Sequence, residues 1–243
     1  MNGWYPKDKE ELNKVLDGFL SQPVSEIHSK KIHGLIVPHA GYAFSGRIAG
    51  KAFSLLKEKS GKIDKAVVLG PSHYEWFYGI KALRKIKTPF GEVKIIENNF
   101  PLYVEQGYEH SVENQIPFLQ KLNTEIGILP LVVGEISENN AKEIAIKIIE
   151  IINEDAIFIL STDLSHFLPY DEAVRKDKNT IKIIENLDFE KLEEIDACGK
   201  FPLLIMMHLC RIKKWKPNLI EYKNSGDITG DKGGVVGYAS FWF

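Results

Sequence analysis

Cysteine is nearly absent: Cys198 and Cys210 are the only two in 243 residues. That is too few for the disulfide framework of small secreted folds, so a reducing, cytoplasmic setting is expected. No apolar run approaches the ~20 residues of a membrane-spanning helix. The first residues lack the basic-then-apolar order of a secretory signal, so neither membrane insertion nor secretion is expected. An excess of one charge is missing too. The 31 basic and 33 acidic residues leave a formal net charge of −2 and are interspersed, without the basic footprint of a nucleic-acid or anionic-membrane binder. Repeats, linker-like stretches and low-complexity segments are also lacking, so the chain reads as a single domain over residues 1–243. Hydrophobic residues at 44% and charged residues at 26% match ordinary globular usage and suffice for a sizeable core.

What is present is a recurring succession of short apolar strand, Gly-, Pro- and Ser-rich loop, and helix. After a Trp4-Tyr5-Pro6 turn, residues 8 to 21 carry Leu12, Val15, Leu16, Phe19 and Leu20 at helical spacing. Gly34 to Val37 is an apolar run stopped by Pro38, and a helix is expected from Ala49 to Lys59. Lys65 to Leu69 runs into Gly70-Pro71-Ser72-His73. Ile128 to Val133 runs into Gly134 and a helix from about Ser137 to Asn153. Ala156 to Leu160 runs into Ser161-Thr162-Asp163-Leu164-Ser165-His166. Continuous apolar strands alternating with helices predict an α/β fold, a largely parallel central sheet flanked by helices. A hairpin is expected within residues 80 to 97 around Thr88-Pro89-Phe90-Gly91. A buried helix is expected from Phe201 to Leu209 and a closing strand from Val235 to Phe243.

Three histidines occupy equivalent places. His39, His73 and His166 each follow a buried-type strand by a few residues, and loops at the carboxyl ends of parallel strands line the sheet edge where such folds hold ligands. One loop histidine is an ordinary hydrogen-bonding residue; three in equivalent positions point to a metal site, imidazole being a common ligand. Two imidazoles and a carboxylate on one face of an ion leave positions open, the arrangement of non-heme Fe(II) oxygenases. Asp227, in the glycine-flanked turn Asn224-Ser225-Gly226-Asp227, is the candidate carboxylate, and a turn-capping hydrogen bond explains the same aspartate equally well. Glu109-His110-Ser111-Val112-Glu113 reads either as the cap of the apolar run that follows or as part of the site. Cys198, before Gly199, reads as a packing residue, and His208 as a core or helix-end histidine. His28 and His33 carry no pattern. Trp76, Phe77 and Tyr78 read as an aromatic wall, as core or as a subunit contact.

Six segments in order resemble the signature segments of the Memo family: Val37-Pro38-His39-Ala40-Gly41-Tyr42, Gly70-Pro71-Ser72-His73, Glu109 to Phe118, Ser161 to His166, Asp196-Ala197-Cys198-Gly199 and Asn224 to Asp227. They lie within a match running from Trp4-Tyr5-Pro6 to Val236-Gly237-Tyr238-Ala239. The resemblance implies a fold like that of class III extradiol dioxygenases, whose iron is held by two histidines and a glutamate while another histidine acts as acid/base. It makes His39 and His73 metal ligands and sets Asp227 at, or within a residue of, the third-ligand position, near which some members carry cysteine. It makes His166 the acid/base, with Asp163 orienting an imidazole or serving as an alternative ligand. His110 then donates to an anionic substrate or bound oxygen, Glu113 holds His110, and Tyr42 and Ser72 bind substrate or serve the loop backbone.

The implied cofactor is a divalent metal, Fe(II) first, with Cu and Zn as alternatives, and the implied substrate is a small molecule. Two other functions fit the same residues: a non-catalytic scaffold that binds phosphopeptides over a vestigial pocket, and a metal-assisted hydrolase. The association of some microbial members with radical-SAM proteins adds a radical-SAM pathway partner to the expectations.

Overall fold

A computed structural model describes residues 3–24, 31–59, 61–97, 103–104, 107–152 and 156–243; His28 and the expected helix end at Asn153 lie outside them. The chain opens with α1 (Lys9–Leu20), whose first turn is capped by Asp8 accepting from the Glu11 amide at 2.8 Å. Then come β1 (Gly34–Val37), α2 (Tyr42–Ser54), β2 (Lys65–Pro71) and β3 (Ile80–Leu83). Four two-residue strands follow, β4 (Lys87–Thr88), β5 (Gly91–Glu92), β6 (Lys94–Ile95) and β7 (Tyr103–Val104). Beyond them lie α3 (His110–Glu113), α4 (Ile116–Leu122), β8 (Gly127–Val133), α5 (Glu138–Ile151), β9 (Ile157–Ser161) and β10 (His166–Leu168). The chain finishes with α6 (Tyr170–Asn186), α7 (Lys200–Lys213), β11 (Asn218–Asn224), α8 (Ser225–Thr229) and β12 (Val235–Trp242).

The main sheet runs β10-β12-β1-β9-β2-β8-β3-β7, with β11 also paired to β12 and β6 to β8. Its centre, β1-β9-β2-β8, is parallel throughout, while β12 joins β1 and β3 joins β8 antiparallel. This is the α/β architecture that the apolar runs predict, and the reason is burial on both sides. Alternate residues of the central strands face opposite cores: Val67, Leu69, Leu129 and Leu160 pack with α5, α6 and α7, whereas Ala66, Val68, Ile128 and Ile159 pack with α1, α2 and α4. Neither face meets water, so neither needs polar residues. Among the described residues no helix is long and apolar enough to cross a membrane.

Two expectations about elements change. The second helix starts at Tyr42 instead of Ala49. Gly46 and Gly50 weaken its helical signal, yet they are the positions against which Phe19 of α1 packs. The Thr88-to-Gly91 turn closes only the two-residue pair β4–β5, because β3 spends its hydrogen bonds on β8 and β7. The closing strand is present, and Phe243 after it is 2% exposed.

Candidate metal centre

Parallel register decides where the loops emerge. Val37 pairs with Ser161 and Leu69 with Leu160, so the residues after β1, β2 and β9 leave the same edge side by side. His39 is clamped there by its backbone. Its N–H donates to Asp163 Oδ1 at 2.8 Å, and its carbonyl accepts from Asn114 Nδ2 at 2.7 Å. Its ring Nδ1 lies 2.9 Å from Ser161 Oγ and its Nε2 lies 3.3 Å from Cys198 Sγ. Burial first, then the neighbouring His73 and His110, hold its pKa well below the ordinary histidine value. The ring is therefore a neutral nitrogen donor at physiological pH.

His73 follows β2, with its ring centroid 5.1 Å from that of His39. Glu109 grips it twice, accepting from the His73 N–H at 2.7 Å through Oε2 and lying 3.0 Å from Nδ1 through Oε1. The same carboxylate caps α3 through the Ser111 amide at 3.2 Å and stands 3.3 Å from His110 Nδ1. Burial opposes its charge, but hydrogen bonds from His110 and His73 prevail and hold its pKa well below the usual carboxylate range. His110 has Trp4 stacked on one ring face at 4.1 Å, and its Nδ1 lies 3.0 Å from the Tyr74 hydroxyl.

Cys198 is the third candidate donor near these two rings. The Gly199 N–H donates to Thr162 Oγ1 at 2.9 Å, and a Cβ on Gly199 would sit 2.5 Å from that side chain. Only glycine brings the start of α7 this close to the loop after β9. The Asp163 N–H then donates to Cys198 Sγ at 3.3 Å. Burial, reinforced by the Asp163 charge, pushes the thiol far above the ordinary cysteine value. One ligand atom from each of His39, His73 and Cys198 falls within 4.8 Å of the others, and His73, Glu109 and His110 form a second such group. Two imidazoles and a sulfur are donors that Zn(II), copper and iron all accept, so these residues fit a metal ion.

Asp227, expected as the third ligand, belongs to neither group. It is the N3 residue of the α8 capping box: Oδ2 accepts from the Asn224 N–H at 3.0 Å and Oδ1 from the Tyr170 hydroxyl at 2.7 Å. Tyr42 takes the backbone-serving alternative of its two expected roles. It is 5% exposed among Phe19 and Phe118, and its hydroxyl donates to the Asn114 carbonyl at 2.7 Å. Ser72 Oγ donates to the Glu75 carbonyl at 2.6 Å and lines a cleft of about 280 Å³ with Tyr74, Phe77, Lys81 and Tyr108.

Asp163 orients His39 through the backbone amide, not through an imidazole. His166 is half-buried beside this group, close enough for its charge to bear on both His39 and Asp163, and is followed by Phe167 at a left-handed φ of 59°. Glu113 is buried, with its pKa raised to about 7 by burial and by the charge of Glu109; the carboxylate that meets His110 is Glu109. His208 packs on Phe189 in the opposite core, apart from this group. Trp76 and Tyr78 are exposed, and only Phe77 packs into a core.

Fold and site define an α/β protein whose largely parallel sheet carries an imidazole–thiol group at its carboxyl edge, with His39 buried, Cys198 half-buried and His73 exposed. The chain belongs to the Memo family: the family model for Memo-like proteins matches residues 2–242. It is 35% identical to a MEMO1 family protein of Aquifex aeolicus over 99% of this chain and 96% of that one. A MEMO1 family protein of Methanococcoides burtonii is also 35% identical, over 88% of each. Among solved structures, the uncharacterized protein JW3007 from Escherichia coli K12 superposes with a TM-score of 0.54 at 11% identity, over 88% of this chain and all of that one. That likeness concerns the fold.

Proposed function

We propose that the protein is a metal-dependent enzyme acting on a small molecule, with one divalent ion held by His39, His73 and Cys198. The observation that carries this reading is the convergence of three donor atoms within 4.8 Å from three separate loops. A bound ion would supply Lewis-acid polarisation of a substrate oxygen and, as iron or copper, redox capacity. With sulfur in place of the expected carboxylate, the donor set no longer favours Fe(II), because thiolate suits zinc and copper at least as well.

The chain's own groups have distinct tasks in this reading. Burial keeps His39 neutral, and Asp163 holds its backbone in place. His110, fixed between Trp4 and Tyr74 with Nδ1 towards Glu109, takes up a proton at Nε2 and in that form donates to an anionic oxygen of the substrate. His166, half-buried at the rim, moves a proton between substrate and solvent. The sulfur donor also favours a second reading, metal-assisted hydrolysis, in which the same histidines handle the protons.

Anaerobic calorimetry with Fe(II), and parallel titrations with Zn(II), test the site. Wild type and Asp227→Asn are expected to bind, whereas His39→Ala, His73→Ala and Cys198→Ser are expected to fail. Loss of binding in Asp227→Asn with retention in Cys198→Ser would overturn the ligand set. Oxygen consumption by the iron-loaded protein with candidate substrates separates the oxygenase from the hydrolase.

A further inference from the structure

The two compact donor groups share His73, and Glu109 stands between its two ring partners. An ionised carboxylate is acceptor-only. Four N–H positions converge on this one: the His73 amide at 2.7 Å, His73 Nδ1 at 3.0 Å, the Ser111 amide at 3.2 Å and His110 Nδ1 at 3.3 Å. Each ring nitrogen in that set must therefore carry its proton to be a partner and not a repulsion. A neutral imidazole has one N–H and one lone pair, so a proton on Nδ1 leaves the lone pair on Nε2. With the proton on Nδ1, the Tyr74 hydroxyl oxygen 3.0 Å away accepts from it as well.

We propose that Glu109 is a positioning residue outside the ligand set: it fixes His73 and His110 together as Nδ1–H tautomers, leaves Nε2 as the lone-pair nitrogen of each, and limits the centre to one ion per chain. A second ion among His73, Glu109 and His110 would need the lone pairs on the nitrogens that face Glu109, the opposite proton arrangement. Glu109 thus has the place of an outer carboxylate that sets the orientation and basicity of a ligating histidine, and here it serves a second histidine as well. The one-ion part rests on the metal site proposed above; the tautomers do not.

The tautomers are read directly, without metal, from two-bond ¹H–¹⁵N correlations of ¹⁵N-histidine-labelled protein at alkaline pH, with His73→Ala and His110→Ala spectra assigning the signals. Both rings are expected in the Nδ1–H form. In Glu109→Gln the carboxamide presents N–H where the carboxylate had an oxygen, so at least one ring is expected to convert to Nε2–H. An Nε2–H ring in the wild type, or unchanged tautomers in a folded Glu109→Gln, overturns the proposal, and the wild-type spectrum decides even if that variant does not fold. Zn(II) titration is expected to give one ion per chain and a ~10–100-fold weaker affinity in Glu109→Gln; two ions per chain overturn the one-ion limit. If the wild type binds no Zn(II), the metal reading fails while the tautomer result still stands or falls on its own spectrum.

Discussion

Two short turns each lead into a helix, contain a glycine and offer one residue able to be a third metal ligand. Before α7 the residue is Cys198, followed by Gly199; at α8 it is Asp227, preceded by Gly226. By charge and hardness the aspartate is the better partner for two imidazoles around Fe(II). Asp227 is nevertheless consumed away from the histidines, with one oxygen held by Asn224 of its own turn and the other by Tyr170 of α6. Cys198 makes its contacts far along the chain, to Asp163 and His39. The glycines explain the contrast. Gly199 is the point where one backbone touches another element's side chain, whereas Gly226 packs within the local fold of its own turn and against Val235. Ligand chemistry makes a residue eligible; close approach between elements decides which eligible residue is used.

The largest effect expected of this contrast is on affinity. Cys198→Ser should weaken metal binding by more than the ~10–100-fold typical of losing an outer partner, and Asp227→Asn should leave it unchanged in the same titration. Equal losses would erase the distinction between the turns. The pH dependence sharpens it. The buried Cys198 thiol is held protonated, far above the ordinary cysteine value, while Asp227 is held ionised, below the ordinary aspartate value. A thiol ligand must release its proton on binding, so affinity should rise about tenfold per pH unit between pH ~7 and ~9. An already ionised carboxylate would give a flat profile over that range. Calorimetry in buffers of different ionisation enthalpy counts the proton.

Gly199→Ala comes next. The added methyl would press on Thr162 at 2.5 Å, and either the loop after β9 or the start of α7 must retreat, at a cost of about 1–3 kcal/mol. Denaturant unfolding reads that cost. Metal affinity should fall with it, because retreat carries Cys198 away from His39. An alanine variant that unfolds like wild type and binds equally well would show that the close approach is not what places the sulfur.

The same contrast separates what was legible in the sequence from what was not. β1, β2, β8 and β9 are continuous apolar runs because both faces of the sheet are covered, and such runs declare themselves. His39 and His73 follow them at the carboxyl edge, so parallel topology alone places both near one another. Cys198 could not be found in this way. Its neighbours sit on a loop 35 residues earlier, and the pairing rests on a glycine contact that no local pattern reports. Glu109 was hidden for a related reason. It and Glu113 are both acidic residues next to His110, and which of them meets the imidazoles depends on α3 starting at His110, with Glu109 as its cap.

The smallest effect is expected at Asp227 itself. Removing one member of a capping arrangement costs about 0.3–1.5 kcal/mol, so Asp227→Ala should lower the unfolding free energy by that amount without touching metal binding. Its pH dependence has a definite sign. Burial is the largest single influence and opposes the Asp227 charge, but the Tyr170 hydroxyl, the Asn224 amide and the nearby Lys223 and Lys232 together outweigh it and depress the folded-state pKa. Where the unfolded chain binds the proton more readily than the folded one, stability rises with pH. The contribution of Asp227 is therefore fully present above the ordinary aspartate value and lost as the pH falls through its lower folded-state value. The gap between wild type and Asp227→Ala in urea midpoints should hold from pH 7 down to about 5 and close below about 4. Tyr170→Phe removes one of the two donors and should reproduce part of the gap. A gap that persists unchanged in acid would mean that Asp227 contributes by shape and not by charge, and the turn at α8 would then differ from the turn before α7 in packing alone.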